Sequence, residues 1–246
     1  MTVLIYNNNT NRMETYYLSL NDIMPYANST LRVREFRGAS SSQVLWTDRR
    51  TMEAWVRFRA MWGSPIFVPY AFKRIGEGGH SDQSQHYAGT SFDVAQNLDN
   101  ASRARMRSMA ASSGLWTYVE PVAISPTWVH FDKRATPPAC SAGYPMLRQG
   151  SISNYVAVLQ DALETIGLVK IGIDGYFGPL TANTVRTFQQ QQGLTVDGVV
   201  GCQTWARLTK LANGRWRRGQ FTNSAALVET VALDRPHMQK TFCLCQ

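Results

Sequence analysis

The segment SQHYAGTSFDVA, residues 84–95, contains two side chains that could bind a metal ion. His86 and Asp93 lie seven residues apart, so on one continuous strand they would point to opposite faces. The Ala88-Gly89 pair between them offers a bend that would let the two side chains converge. A catalytic zinc site takes three such protein ligands and keeps one position for water. We therefore expect a third ligand elsewhere in the chain.

His130, in the segment WVHFD, is the best candidate for that third ligand. Alternation along a strand puts Val129 and Phe131 on one face and His130 and Asp132 on the other. An isolated histidine is more often a hydrogen-bonded core or surface residue, but one on the polar face of an apolar strand is readily explained as a ligand. Bound zinc would lower the pKa of a water molecule and polarise a carbonyl group. The sequence thus predicts a hydrolytic zinc site.

The same residues carry a resemblance to a known enzyme family. The signature S-x-H-x-x-G-x-x-x-D, followed later by a strand histidine, is matched by Ser84, His86, Gly89, Asp93 and His130. This pattern resembles the zinc D-alanyl-D-alanine peptidases and spans roughly residues 31–132. The resemblance implies a small antiparallel sheet with flanking helices, and hydrolysis of an amide bond in the stem peptides of peptidoglycan. Carboxypeptidase and endopeptidase activity both fit.

Such a reaction needs a carboxylate that takes a proton from water and passes it to the leaving amine. The resembled family commonly has a glutamate three residues before the last ligand, where this chain has Thr127, which cannot act as a base. Glu120 is the first substitute, because a turn centred on Ser125 would place it opposite His130. Asp132 shares the face of His130 and is the second substitute, although it could equally fix a histidine ring.

A substrate clamp is the next requirement, because the peptide must be oriented over the metal. The family usually has an arginine after the strand that precedes the zinc loop, and the segment VPYAFKRIG offers Arg74 first and Lys73 second. Arginine can bind a carboxylate through two parallel hydrogen bonds (a bidentate contact), which lysine cannot do. Ser84 could hydrogen-bond the substrate or the loop backbone, and His80 is interpreted as a loop residue or a substrate contact.

Short strands and helices must position these residues. The opening VLIY-NNNTNR-METYYL predicts a hairpin around an asparagine-rich turn. Apolar residues at helical spacing predict helices over residues 51–62 and 99–113, the second with a solvated face of arginines. Further strands are expected over residues 64–72, 115–124 and 127–131.

The chain beyond residue 150 contains an internal duplication. DGYFGPLTANTV at Asp174 realigns on DGVVGCQTWARL at Asp197 with a shift of 23 residues. Each copy predicts a turn and then a threonine that caps a helix, and an apolar stripe before the first copy predicts another helix. The pattern resembles the three-helix peptidoglycan-binding domain over about residues 150–208, which implies a non-catalytic anchor on wall polymer. A helical spacer without a binding groove is the alternative.

We therefore predict an α+β fold followed by an all-α domain. The boundary falls in the stretch DKRATPPACSAGYP, which is rich in proline, alanine and glycine. The predicted segments are an N-terminal hairpin extension (1–30), a zinc peptidase domain (31–138), a linker (139–149), a peptidoglycan-binding domain (150–210) and a basic C-terminal tail (211–246).

Composition restricts the partners and the compartment. The chain has 246 residues, a formal net charge of +8 and 44% apolar residues, which suits a folded protein that acts on an anionic polymer. No apolar run is long enough to span a membrane, and no nucleic-acid fold signature accompanies the basic GRWRRG segment. The chain start lacks the features of a signal peptide, so we expect a cell-wall or extracellular location reached by another route, as in phage lysins or spore-associated enzymes.

The four cysteines leave their pairing open. Cys140 and Cys202 could bridge the two domains, whereas Cys243 and Cys245 are too close for an easy bridge to each other. No CxxC spacing is present, so a structural zinc knuckle is not expected.

A non-enzymatic function is the competing hypothesis. Thr127 in place of the family's glutamate is its main support, because a chain without a base could keep the zinc fold only as a scaffold. The protein would then be a wall-binding protein that cleaves nothing.

Overall fold

The computed structural model describes residues 1–75, 77, 80–140 and 143–217. The elements in chain order are β1 (Thr2–Asn7), β2 (Arg12–Tyr17), α1 (Val33–Arg37), β3 (Val44–Asp48), α2 (Arg49–Trp62), β4 (Ser91–Val94), α3 (Asn100–Ser112), β5 (Tyr118–Val119), β6 (Val129–Asp132), α4 (Asn154–Thr165), α5 (Pro179–Gln191) and α6 (Cys202–Arg217). This order confirms an α+β part followed by a helical part.

The first sheet has the strand order β2-β1-β3. The predicted hairpin of β1 and β2 is confirmed, and β1 also pairs in parallel with β3. The hairpin expected to be an extension therefore shares a sheet with residues well inside the predicted peptidase segment. Strand β3 was not predicted, because its parallel partner lies about forty residues earlier in the chain and leaves no local signal.

The second sheet has the strand order β4-β6-β5 and is antiparallel throughout. The strand expected over residues 64–72 is wrong: in the described part of the chain it makes a single β-bridge, from Tyr70 to Asp93. Pro65 and Pro69 lack the N–H that a strand ladder needs, which explains the irregular backbone. The strand expected over residues 115–124 is shortened to β5, because Pro121 cannot continue the ladder.

Helix α2 supports the second sheet from its apolar side. The helix begins where the Asp48 side chain accepts a hydrogen bond from the Thr51 N–H, at 2.7 Å. Its buried Trp55 stacks on Phe92 of β4 with ring centroids 4.5 Å apart. Phe131 of β6 therefore lies in the same aromatic core, and the opposite, polar face of the sheet is left for the candidate site.

Arg107 of helix α3 does not belong to a solvated face. Arg107 donates hydrogen bonds to the carbonyl oxygens of Glu120 (3.0 Å), Ser125 (2.6 Å) and Trp128 (2.6 Å). These carbonyls belong to the connection between β5 and β6. Arg107 therefore fixes the shape of that connection, which corrects the expectation of a wholly solvated arginine face.

The helical part repeats one polar motif at its two Asp-Gly turns, as the duplication predicts. The threonine cap expected for α5 is wrong, because Gly178 is the N-cap and Thr181 lies inside the helix. Gln160 donates to Asp174 Oδ1 at 2.7 Å and accepts from the Gly175 N–H at 2.9 Å. Gln189 does the same with Asp197 Oδ1 (2.8 Å) and the Gly198 N–H (2.8 Å). Each Asp-Gly turn is thus held by a buried glutamine from the preceding helix.

Helix α4 lies between the two parts of the molecule. Every side chain from Asn154 to Leu163 is buried, because α4 contacts α5 and α6 as well as β1 and β3. Helix α6 continues past the predicted boundary at residue 210, as far as Arg217. The rest of the predicted basic tail, with Cys243 and Cys245, lies outside the described residues. Within the described ranges, no helix is long and apolar enough to cross a bilayer.

A disulfide joins Cys140, in the predicted linker, to Cys202, the first residue of α6. We expect the double variant Cys140→Ser/Cys202→Ser to lose up to about 4 kcal/mol of unfolding free energy, because a loop of some sixty residues is no longer closed in the unfolded chain. Chemical denaturation of the wild type and the variant measures this difference. Peptide mapping without reductant should recover the two cysteines in one linked peptide, and finding Cys140 free to alkylate would contradict the assignment.

Candidate metal centre and cleft

The pairing of β4 with β6 brings the three predicted ligands together. Asp93 lies opposite His130 in the antiparallel register, and both point to the polar face of the sheet. His130 Nδ1 is 2.6 Å from Asp93 Oδ1, and His86 Nε2 is 3.2 Å from Asp93 Oδ2. One ligand atom from each of the three residues lies within 4.8 Å of the other two. The predicted convergence of His86, Asp93 and His130 is therefore present in the structure.

The loop that carries His86 bends at Gly89, as the sequence predicts. Gly89 has a φ of +66°, and a Cβ atom there would lie 2.0 Å from the carbonyl oxygen of Trp46. Strand β3 holds the loop in return: the Trp46 indole N–H donates to the Tyr87 carbonyl (2.7 Å) and the Thr47 hydroxyl to the Gly89 carbonyl (2.6 Å). Only glycine fits this close approach, which turns His86 back toward Asp93.

The hydrogen bonding of His86 leaves one ring nitrogen available. His86 Nδ1 lies 2.9 Å from the carbonyl oxygen of Ala71, which can only accept, so Nδ1 carries the proton. His86 Nε2 is buried and has no hydrogen-bond partner among the described residues, despite its proximity to Asp93. A buried lone pair without a partner is unfavourable unless a cation binds it. His86 is therefore oriented as a metal ligand.

His130 lies between two carboxylates. Its Nδ1 contacts Asp93 and its Nε2 lies 3.3 Å from Asp132 Oδ2. Burial lowers the pKa of His130, but the hydrogen bonds to Asp132 and Asp93 outweigh burial and raise that pKa to about 9. Burial raises the pKa of Asp93, but the hydrogen bond from His130 and the proximity of His86 outweigh burial, so that the Asp93 pKa is lowered overall. The site therefore holds a carboxylate between two histidines, a donor set that suits a divalent cation once the cation displaces the proton on His130.

Arg134 forms an ion pair with Asp132, the second carboxylate beside His130. Its Nε donates to Asp132 Oδ1 at 2.8 Å, and its guanidinium lies 4.3 Å from the centroid of the Tyr118 ring. Burial raises the pKa of Asp132, but the hydrogen bonds from Arg134 and His130 outweigh burial. The pKa of Asp132 is therefore lowered overall, and Asp132 stays ionised. Asp132 is engaged by Arg134 and His130 together, which fits the role of fixing a histidine ring. Arg134 was not predicted as a site residue, although the alternation that places Asp132 on the polar face extends to it.

A cleft of about 920 Å³ opens above the three ligands. Its other lining residues include His80, Gln83, Tyr118, Ile124, Trp128 and Arg134. The ring of His80 lies 4.5 Å from the ring of His86. Burial, followed by the neighbouring His86, lowers the pKa of His80 to about 4, so its ring is neutral and able to contact substrate.

Glu120 lies in this cleft, in the register that the sequence predicts. The Glu120 N–H donates to the His130 carbonyl at 2.9 Å, which makes the two residues neighbours across the hairpin of β5 and β6. The Glu120 side chain is half-buried and lines the cleft. Thr127 is not among the cleft-lining residues. Glu120 therefore lines the cleft beside His130, in the register that the hairpin geometry predicts.

The predicted clamp residues are placed elsewhere. Arg74 forms hydrogen bonds to Asp161 of α4 through Nε (2.8 Å) and Nη2, so its guanidinium joins the two parts of the molecule and does not line the cleft. Lys73 is buried with its Nζ 5.1 Å from the centroid of the Tyr70 ring and does not line the cleft either. Ser84 does line the cleft, and its hydroxyl accepts a hydrogen bond from the His86 N–H at 3.3 Å, which supports the loop backbone. The clamp assigned to Arg74 is thus corrected.

Comparison with known proteins identifies the helical part. Residues 153–208 match the family model of the peptidoglycan binding domain. These residues cover α4, α5 and the first turns of α6, which are the helices of the predicted three-helix unit. The molecule therefore contains a peptidoglycan-binding domain at this position.

Three curated relatives have local similarity to this chain. An uncharacterized protein of Kitasatospora aureofaciens is 42% identical over 69 residues, which are 28% of this chain and 58% of that protein. The N-acetylmuramoyl-L-alanine amidase CwlL of Bacillus licheniformis is 44% identical over 62 residues, or 23% of this chain and 17% of the amidase. A spore cortex-lytic enzyme of Halalkalibacterium halodurans is 38% identical over 68 residues, or 28% of this chain and 21% of that enzyme. The chain thus spans less than two thirds of each relative, and two of the three are named as enzymes of wall or cortex breakdown.

Proposed function

We propose that this chain is a zinc-dependent peptidoglycan hydrolase that cleaves an amide bond in the stem peptides. The observation that carries the proposal is the convergence of three ligand atoms from His86, Asp93 and His130 within 4.8 Å of one another, in an open cleft. The peptidoglycan-binding domain at residues 153–208 supports wall polymer as the partner. A cell-wall or spore-associated location follows from that partner and fits the names of the relatives.

The three side chains would hold zinc through His86 Nε2, His130 Nδ1 and an Asp93 carboxylate oxygen. Both histidines have their second nitrogen fixed, by the Ala71 carbonyl and by Asp132, as ligating histidines usually do. When bound, the ion would supply a water of lowered pKa and a positive charge next to the scissile carbonyl. The aromatic core behind the sheet fixes the spacing of the ligands before any metal arrives.

Glu120 is the proposed general base. Its carboxylate would take a proton from the attacking water and then deliver that proton to the leaving amine nitrogen, while the amide C–N bond breaks. Arg107 holds the backbone on both sides of the turn and so fixes where the Glu120 side chain begins. Asp132 is less suited to this role, because its oxygens already accept hydrogen bonds from Arg134.

Cleavage of the bond between muramic acid and L-alanine is a second candidate function. The name of the amidase from Bacillus licheniformis favours it, since that enzyme acts on a bond at the start of the same peptide. The two candidates share the wall polymer and differ in the fragment they release. Mass analysis of digested walls separates them: a stem-peptide cleavage yields new amine ends inside the peptide, whereas an amidase frees the intact stem.

We expect purified protein to bind one zinc ion per chain. His86→Ala, Asp93→Ala and His130→Ala should each weaken zinc binding by more than about 100-fold, because loss of a ligand exceeds the 10–100-fold effect typical of its outer partners. His80→Ala is the matched control, since His80 lies beside His86 without belonging to the ligand set. Chelator competition measures the affinities, and equal loss in His80→Ala would contradict the assignment.

Glu120→Gln should keep zinc and lose activity. The substitution preserves the size of the side chain but removes the proton acceptor, so the release of new amine ends should slow by at least about 100-fold. Glu53→Gln is the matched control, because Glu53 pairs with Arg49 on the surface, away from the cleft. Mass analysis of digested walls and a zinc titration should be run on the same samples. Wild-type protein that binds zinc and wall but releases no fragment would favour the non-enzymatic alternative.

A further inference from the structure

The peptidoglycan-binding domain contacts the loop that carries His86. We call residues 84–93 the ligand loop, since it contains two of the three proposed metal ligands. Asn154 Nδ2, on the first turn of α4, donates to the Ala88 carbonyl at 2.7 Å. Tyr144, just before the domain, donates its hydroxyl to the Ser84 carbonyl at 2.7 Å. The helical part is therefore packed directly against the backbone of the candidate site.

Tyr155 makes the most specific of these contacts. Its hydroxyl accepts a hydrogen bond from the Ala135 N–H (2.9 Å) and donates one to Gln85 Oε1 (2.8 Å). Gln85 directly precedes His86, and Ala135 follows the strand that carries His130. One hydroxyl group thus links the two chain segments that supply the two histidines.

Gln85 extends the hydrogen-bond network from Tyr155 into the ligand loop. Gln85 Oε1 also accepts from the Thr90 hydroxyl at 3.0 Å, and the Gln85 carbonyl accepts from the Thr90 N–H at 3.0 Å. These bonds close the bend around Gly89 on the side that faces α4. Tyr155 and Gln85 are both buried, so water cannot replace a lost partner without rearrangement. Burial also raises the pKa of the Tyr155 phenol, which keeps its hydroxyl protonated and able to donate.

We propose that Tyr155 is a positioning residue of the metal centre: its hydroxyl fixes the distance between His86 and His130 through Gln85 and Ala135. The inference rests on the proposed function, because it assumes that these histidines bind zinc. The inference also gives the peptidoglycan-binding domain a second role besides anchoring, since its Tyr155 then helps to position the metal ligands. A peptidase part without α4 would lack this link.

Tyr155→Phe tests the inference, because it removes the hydroxyl and keeps the buried ring. We expect zinc affinity to fall by about tenfold or more, as for other partners that orient a metal ligand. The visible spectrum of the cobalt-substituted protein should change, because it reports the geometry of the ligands. Tyr176→Phe is the matched control: Tyr176 belongs to the same domain, and among the described residues its hydroxyl hydrogen-bonds only to the Met13 carbonyl, at 3.5 Å. Binding to purified walls should be the same in both variants.

Gln85→Met removes the hydrogen bond between Tyr155 and Gln85 from the other partner. If the hydroxyl acts through Gln85, Gln85→Met should weaken zinc binding as well, and the double variant should be no weaker than the worse single one. Hydrogen–deuterium exchange of the metal-free protein should rise over residues 84–93 in Tyr155→Phe and remain unchanged in Tyr176→Phe. Additive losses in the double variant, or a zinc affinity and exchange in Tyr155→Phe equal to those of the control, would overturn the proposal.

These measurements separate this inference from the proposed function. Zinc affinity, cobalt spectrum and exchange do not require that any bond be cleaved. Wild-type protein that binds zinc without hydrolysing wall would contradict the hydrolase, while a tenfold loss of affinity in Tyr155→Phe would still support the positioning role.

Discussion

The antiparallel register between β4 and β6 is the constraint on which the candidate site depends. It pairs Asp93 with His130 on the polar face and Phe92 with Phe131 in the aromatic core. Because side chains alternate along a strand, a slip of one residue would bury the imidazole and expose a phenylalanine. The core therefore specifies the register, and the register specifies the position of two of the three proposed ligands.

Several polar contacts connect this sheet to the rest of the chain. Strand β3 holds the bend at Gly89, the Arg107 guanidinium holds the turn after Glu120, and Arg74 links the α+β part to the buried Asp161 of α4. Asp161 is fully buried whereas Arg74 is partly exposed, so removing Arg74 would leave the Asp161 carboxylate buried without its counter-charge, which is destabilising. The two parts of the molecule are thus joined by specific, buried interactions as well as by a disulfide.

The convergence of the candidate site was easier to predict from the sequence than the fold around it. The convergence of His86, Asp93 and His130 follows from strand alternation and one glycine, and the Glu120 register follows from a turn centre, all of which are local. The position of Arg74 could not be predicted, because its partner Asp161 lies 87 residues away and belongs to another domain. Likewise, no local pattern indicates that the N-terminal hairpin pairs with β3, or that Tyr155 reaches Gln85.

X-ray absorption spectroscopy of the zinc-loaded full chain tests the central claim most directly. The account predicts a four-coordinate ion with two imidazole nitrogens at about 2.0–2.1 Å, and carboxylate and water oxygens at about 2.0–2.2 Å. In His86→Ala one imidazole contribution should disappear. A sulfur ligand at about 2.3 Å, or a coordination shell without imidazole, would contradict the account, because zinc would then bind at cysteines or surface carboxylates instead of the cleft.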